Sequence, residues 1–229
     1  SFNTHEQTMA YMHEHSEKDM PVPQYFIQHK FPKILAEDFA PVSCPENPQL
    51  EWNPPGHGNI YTALVTSGVL QRLLDDGIRY AFVSNIDNLG ASLDLSFLGC
   101  FITRDIPFMM ETVGRTAMDR KGGHLARAQS GSLILREIAQ TENDERDMFQ
   151  DIDRHKYFNT NNIWLNLVHV KTTLDKANGV LDLPLITNEK NCNPRDPSSP
   201  KVYQLETAMG AAIGVFPGAR AILAPRIRF

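Results

Sequence analysis

The sequence predicts an α/β domain built on a mixed, mostly parallel sheet. A helix signal ending at Gly77 is followed at once by the apolar run Arg79-Tyr80-Ala81-Phe82-Val83-Ser84, the pattern of half a β–α–β unit. Further strand-like runs recur at 108–113, 133–138, 157–164 and 221–223, with helical or polar stretches between them. The chain has 229 residues, 41% of them hydrophobic and 21% charged. A chain of that size buries about 70% of its unfolded surface as one domain, without disulfides or a structural metal.

The elements follow in order. Asn3-Thr4 with Gln7 resembles a capping box and predicts a helix from about Thr4 to His15. Pro21, Pro23 and Pro32 punctuate the next stretch, where Tyr25-Phe26-Ile27 reads as a short strand. Five prolines between Pro41 and Pro55 forbid long regular structure there. Asn59 can cap a helix carrying Ile60, Leu64, Leu70 and Leu74, with Gly77 placed to end it. The 79–84 run then reads as a buried parallel strand that switches to Asn85-Ile86-Asp87-Asn88 at its carboxyl end, where ligands collect in open α/β sheets. If the backbone stays extended, Asn85 and Asp87 point the same way. The runs 108–113 and 133–138 predict strands, and 144–152 a helix. Tyr157 to Trp164 predicts a strand with a polar centre, followed by a helix near 167–176. Gln204 to Phe216 reads as a helix of small residues, and Ala221-Ile222-Leu223 as a last strand. Asn191 to Lys201 reads as a surface loop within a single domain.

Composition excludes several classes. A formal charge of −5 argues against a nucleic-acid-binding surface. No apolar run approaches the roughly 20 residues a bilayer needs, so a membrane role is not expected. The polar, histidine-rich start is not a secretory signal as it stands. Cys44, Cys100 and Cys192 are odd in number and far apart in sequence, which fits neither a disulfide framework nor a zinc site and points to a reducing, cytoplasmic setting.

Four segments carry chemistry, each beside a plainer reading. Pro54-Pro55-Gly56-His57-Gly58-Asn59 is either a loop whose backbone touches an anion or a Pro-Gly turn that starts a helix. Asn85, Asp87 and Asn88 suit a cation such as Mg²⁺ that keeps its waters and bridges phosphates, or they form an Asx-rich turn. Lys121-Gly122-Gly123 with Glu137 offers close backbone approach and a carboxylate for sugar hydroxyls, or is a turn with an exposed acid. Asn159-Thr160-Asn161-Asn162 is hardest to explain as structure, because amides are depleted in strands; alternation would put Asn159 and Asn161 on one face. His5, His13 and His15 do not share a helix face, the acidic run 142–145 reads as a solvated helix start, and Met109-Met110 reads as core.

Taken in order, the stretches SFNT (1–4), EWNPPGHGN (51–59), FVSNIDNLGA (82–91), DRKGGHL (119–125), EIAQ (137–140), YFNTNNIW (157–164) and QLETAMGAA (204–212) resemble the UTP–glucose-1-phosphate uridylyltransferase family through nearly the whole chain. The resemblance implies a Rossmann-like nucleotidyltransferase domain, often followed by a β-helical domain. It implies uridylyl transfer from UTP to glucose 1-phosphate, giving UDP-glucose and pyrophosphate with Mg²⁺ as cofactor. Gln28 and Gly56 match uracil-contacting positions, His57 a residue near the α-phosphate and sugar, and Asn85 a sugar or ribose contact. Asp87 matches the acid that helps hold Mg²⁺; Gly123, Glu137, Asn159 and Asn161 match the glucose pocket. On that reading His57 and Asp87 are the catalytic positions.

The chain also departs from the family pattern. The glycine-rich GG-x-GT-x-MG nucleotide loop is not in the sequence, the chain stops at Phe229 short of a usual lysine, and Asn59 stands where an Asp is more usual. The expectation is that residues 1–229 are the central part of a catalytic domain cut from a longer protein, weakly active or inactive alone. A relative acting on another sugar 1-phosphate and a non-catalytic sugar-nucleotide-binding segment stay open, as does a homo-oligomer.

Overall fold

The computed structural model describes residues 1–15 and 25–229. Pro21 and Pro23 lie outside the described residues. Helix α1 (His5–His15) is followed by short strands β1 (Phe31–Pro32), β2 (Ile34–Leu35) and β3 (Trp52–Asn53). Then come α2 (Ile60–Thr66), α3 (Val69–Asp75), β4 (Tyr80–Val83), α4 (Leu95–Thr103), β5 (Phe108–Gly114), β6 (His124–Arg127) and β7 (Leu133–Arg136). The chain continues through α5 (Arg146–Phe149), β8 (Tyr157–Asn166), α6 (Leu167–Lys176), β9 (Leu185–Asn191), β10 (Lys201–Thr207) and β11 (Arg220–Leu223).

The ten-residue strand β8 is the spine of the main sheet. One of its edges pairs with β5; the other pairs with β4 at residues 163–166 and with β6 at Phe158. β7 extends the sheet beyond β6, and β11 lies beyond β5. A smaller sheet in the order β2-β10-β9 backs the Pro-rich segment, and β1 pairs with β3. The α/β class and the mixed sheet hold, but the strand directions differ from the expectation. Among the described residues the one parallel pairing in the main sheet is β11 with β5; β4 runs antiparallel to β8.

The physical reason lies in burial. Phe108 and Met110 on β5, with Ile163 and Leu165 on β8, join the main core with Tyr61, Leu70 and Phe216. The intervening Met109 and Trp164 pack on the opposite face with Phe101 and Ile106. Strands covered on both faces read as continuous apolar runs whichever way they point. The sequence signal reports two-sided burial, not direction.

Other elements also differ. Two helices replace the one expected after Asn59, because the chain turns through Gly68 at φ 72°. Asn59 does not cap with its side chain; its Oδ1 accepts from the backbone N–H of His29 at 2.9 Å and lies 3.0 Å from the ring Nδ1. Tyr25-Phe26-Ile27 forms no strand. The helix expected at 204–216 is the end of β10 followed by a 3₁₀ segment, Met209–Gly214, while the helix expected at 144–152 is a 3₁₀ turn, Asn143–Glu145, running into α5 and ending at Phe149. Folding also brings the free thiols of Cys44 and Cys192 to 3.2 Å, although 148 positions separate them. Among the described residues no helix is long and apolar enough to cross a membrane.

Because both faces of β5 are core, Met109→Ala and Met110→Ala should each lower stability by roughly 2–5 kcal/mol, read from urea unfolding. A near-zero effect from either would show that its face is not packed.

Candidate functional site

Two groups of predicted site residues meet around the start of the 3₁₀ segment at Met209, and a third touches the second through Asn88. The first group is the Pro-Gly loop. The Thr207 N–H at the end of β10 donates to the Pro55 carbonyl at 2.9 Å, and a Cβ on Gly56 would lie 2.4 Å from the Thr207 carbonyl oxygen. The loop thus lies backbone to backbone on β10, and the Gln28 amide donates to the Gly56 carbonyl. His57 Nδ1 accepts the Met209 N–H at 2.9 Å. An accepting Nδ1 in a neutral ring leaves the proton on Nε2, so the ring presents a donor on its outer side. Desolvation by the surrounding protein lowers the His57 pKa and favours that neutral form.

The second group is built on a bulge in β8. Thr112 faces Asn159 and Met110 faces Ile163, so residues 160–162 of β8 stand opposite Glu111 alone. Asn161 takes a left-handed φ of 58°, a conformation that asparagine tolerates better than most residues. The strict alternation expected of Asn159 and Asn161 is therefore broken. The bulge nonetheless brings the two together: Asn159 Nδ2 donates to Asn161 Oδ1 at 2.9 Å, and the Asn161 N–H to Asn159 Oδ1 at 3.0 Å. The Asn159 N–H donates to the Gly123 carbonyl at 3.0 Å. A Cβ on Gly123 would lie 2.5 Å from Glu137 Oε1, so glycine lets the carboxylate come up against backbone. A Cβ on Gly210 would lie 3.2 Å from Asn159 Nδ2, which joins this cluster to the Met209 peptide and hence to His57.

Glu137 is a half-buried acid rather than the exposed one of the plainer reading. Among the described residues nothing donates to its carboxylate, and burial raises its pKa to about 7. A half-buried carboxylate without a protein donor is ready to accept hydroxyl groups. Arg115 fixes the segment that carries Gly123, donating to the carbonyls of Asp119, Arg120, Phe149 and His155.

The third group leaves β4. Asn85 and Asp87 are exposed, and the backbone turns between them, with the Asn88 N–H donating to the Asn85 carbonyl at 3.2 Å. The extended backbone that would align their side chains is not present. The loop meets the bulge through Asn88, whose Nδ2 donates to Asn162 Oδ1 at 3.2 Å. No described residue bonds the Asp87 carboxylate. Among the described residues no group of three or more His, Cys, Asp or Glu could hold a metal alone. A single exposed carboxylate fits Mg²⁺, which binds through one or two carboxylates, keeps waters and takes its other ligands from phosphates.

Sequence reasoning missed the supports of this site. Met209 and Gly210 were expected inside a helix, and Glu111 and Arg228 were not singled out. A carboxylate inside an otherwise apolar run was the available signal for Glu111. A cavity of about 950 Å³ lies elsewhere; Arg127, Lys156 and Arg220 are among its lining, and none of the predicted site residues is.

The family model described as UTP–glucose-1-phosphate uridylyltransferase matches residues 1–229. The chain is 39% identical over 230 residues to the UTP–glucose-1-phosphate uridylyltransferase of Solanum tuberosum, covering 100% of this chain and 46% of that protein. It is 41% identical over 204 residues to the enzyme of that name from Encephalitozoon cuniculi, covering 89% and 40%. Among solved structures, a mutant UDP-glucose pyrophosphorylase from Leishmania major superposes with a TM-score of 0.90 at 44% identity, covering 100% of this chain and 50% of that one. Another mutant from the same organism, in complex with UDP-glucose, gives 0.90 at 44%, covering 98% and 50%. The chain thus spans about half the length of the relatives it matches.

The raised pKa of Glu137 makes a stability prediction. Between pH 4.5 and about 7 the folded chain holds a proton that the unfolded chain releases, so this contribution is present at low pH and lost as pH rises through about 7. Glu137→Gln should remove that slope from the pH dependence of the urea midpoint. An unchanged slope would show that the carboxyl titrates normally.

Proposed function

The chain belongs to the UTP–glucose-1-phosphate uridylyltransferase family, and from that premise we propose that it forms the central part of a catalytic domain transferring uridylyl from UTP to glucose 1-phosphate. In the reaction a phosphate oxygen of glucose 1-phosphate attacks the α-phosphorus of UTP in line. The bond to the β-phosphate oxygen breaks, and pyrophosphate leaves with the electron pair. No protein nucleophile is required; positioning and charge neutralisation supply the catalysis.

The observation that carries this reading is the continuous run of contacts from His57 through Met209–Gly210 to Asn159, Asn161, Gly123 and Glu137. A phosphate-facing donor and a set of hydroxyl-binding groups sit on adjoining peptides, as a sugar nucleotide requires. Gln28 and Gly56 would present the polar edge that meets the uracil. The His57 Nε2–H would donate to a phosphate oxygen. Glu137, Asn159, Asn161 and the Gly123 backbone would take the glucose hydroxyls. Asp87 would hold Mg²⁺, which when bound offsets charge on the triphosphate, and Asn85 would contact the sugar or ribose. The three free cysteines fit a cytoplasmic enzyme.

Calorimetric titration of UDP-glucose into the protein, with and without Mg²⁺, tests the assignment. Asn161→Gly keeps the left-handed backbone while removing the amide, and should weaken binding about tenfold, the equivalent of roughly 1.4 kcal/mol. Binding should also weaken as pH falls below about 7, because the hydroxyls bind ionised Glu137. Full affinity in Asn161→Gly would remove the bulge from the sugar site.

A further inference from the structure

The loop that carries Asp87 has little holding it from outside. Ile86 and Leu89 are 101% and 96% exposed, and neither Asn85 nor Asp87 bonds a neighbouring element with its side chain. Within the loop, the Asn88 N–H closes on Asn85, the Ala91 N–H on Asn88, and Asn88 Oδ1 accepts the Gly90 N–H at 3.1 Å. These bonds shape the turn without fixing where it stands.

Its attachment to the rest of the protein runs through two partners. Among the described residues, every hydrogen bond leaving residues 85–93 goes to Asn162 or Arg228. Asn88 Nδ2 reaches Asn162 Oδ1 and, at 3.4 Å, the Arg228 carbonyl. The Arg228 guanidinium donates through Nη1 to Ser92 Oγ at 2.9 Å and through Nη2 to the Ser92 carbonyl at 2.6 Å. Gly90 lies directly on the same segment: a Cβ there would be 2.6 Å from the Arg228 carbonyl carbon and 2.7 Å from the Ile227 oxygen.

Arg228 is itself fixed from below. Its Nε and Nη2 donate to the carboxylate of Glu111, which is fully buried, with the closest approach at 2.9 Å. Trp164 Nε1 and Asn162 Nδ2 donate to the same carboxylate at 2.9 and 3.2 Å. A planar guanidinium can hold a buried carboxylate along one edge and a peptide along the other; a lysine ammonium cannot span both.

We propose that Arg228 is a positioning residue for the metal-binding loop, carrying the rigidity of buried Glu111 out to Ser92 and Gly90 so that Asp87 is presented in one place. The inference rests on the metal role of Asp87 proposed above. Residues that orient a metal ligand without touching the metal typically matter by 10–100-fold in affinity.

Two variants test it in different ways. Arg228→Lys keeps the charge beside Glu111 but loses the second edge. Gly90→Ala leaves the ion pair untouched and pushes the loop off the 227–228 peptide. The first readout is amide hydrogen exchange over residues 85–92, which needs neither metal nor nucleotide; both variants should exchange faster there while the amides of β5 stay protected. The second is Mn²⁺ binding to UDP-glucose-loaded protein, followed by the electron paramagnetic resonance of the free ion. Both variants should weaken Mn²⁺ by about tenfold, while UDP-glucose affinity without metal stays within roughly twofold. Wild-type exchange and Mn²⁺ affinity in both variants, with Asp87→Asn abolishing Mn²⁺ binding, would overturn the positioning role and leave the functional reading standing. Wild-type Mn²⁺ affinity in Asp87→Asn would overturn the metal role and the positioning role with it. Parallel losses of Mn²⁺ and UDP-glucose in both variants would show general damage and also overturn the inference.

Discussion

A carboxylate in the middle of a sheet with no access to water demands several donors, and Glu111 is such a group. Leaving it unpaired would cost several kcal/mol. The answer comes from three places: Arg228 near the end of the chain, Trp164 inside β8, and Asn162 in the bulge of β8. Each of these also faces outward to something else. Trp164 packs the second core with Phe101 and Phe82, Asn162 receives Asn88, and Arg228 receives Ser92. Glu111 is therefore the point where the sheet, the bulge, the β4 loop and the terminal segment become one object.

The bulge is the second consequence of that arrangement. Residues 160–162 stand opposite Glu111, and Thr160 Oγ1 donates to the Glu111 carbonyl at 2.8 Å while Asn162 reaches its carboxylate. With Thr160 and Asn162 turned to the acid, Asn161 is left in the left-handed region and meets Asn159 instead. The paired amides of Asn159 and Asn161 and the support of the β4 loop thus arise from one irregularity in one strand. Bulges redirect side chains in this way, at the expense of regular pairing.

Much of this was legible in the sequence, though unevenly. β4, β5, β8, α6 and β11 announce themselves because apolar runs and helical periodicity are local signals; the structure adds that Asn166 caps α6 by accepting from the Val168 and His169 amides. The amides at 159–162 stood out because they oppose strand preference. Strand direction was not legible, since burial on both faces hides it. β9 and β10 escaped notice because they are largely half-exposed and rich in polar residues, and they are defined by pairing with each other. The partnership of Glu111 with Arg228 spans 117 positions, and no local pattern announces a contact of that range.

That distance has a kinetic side. The pairings that create the candidate site, β5 with β8 and β11 with β5, join segments from well-separated parts of the chain, so loop closure must precede the contacts that reward it. The bulge cannot take shape in a nascent hairpin, because its defining partner is an acid some fifty residues earlier. A partly folded chain with α6 and the β9–β10 hairpin in place would still lack the contacts that join Asn159 to Gly123 and Asn88 to Asn162. The candidate site is thereby tied to completion of the whole sheet, and a slow-forming topology of this kind leaves apolar strands such as β5 exposed to association while it waits.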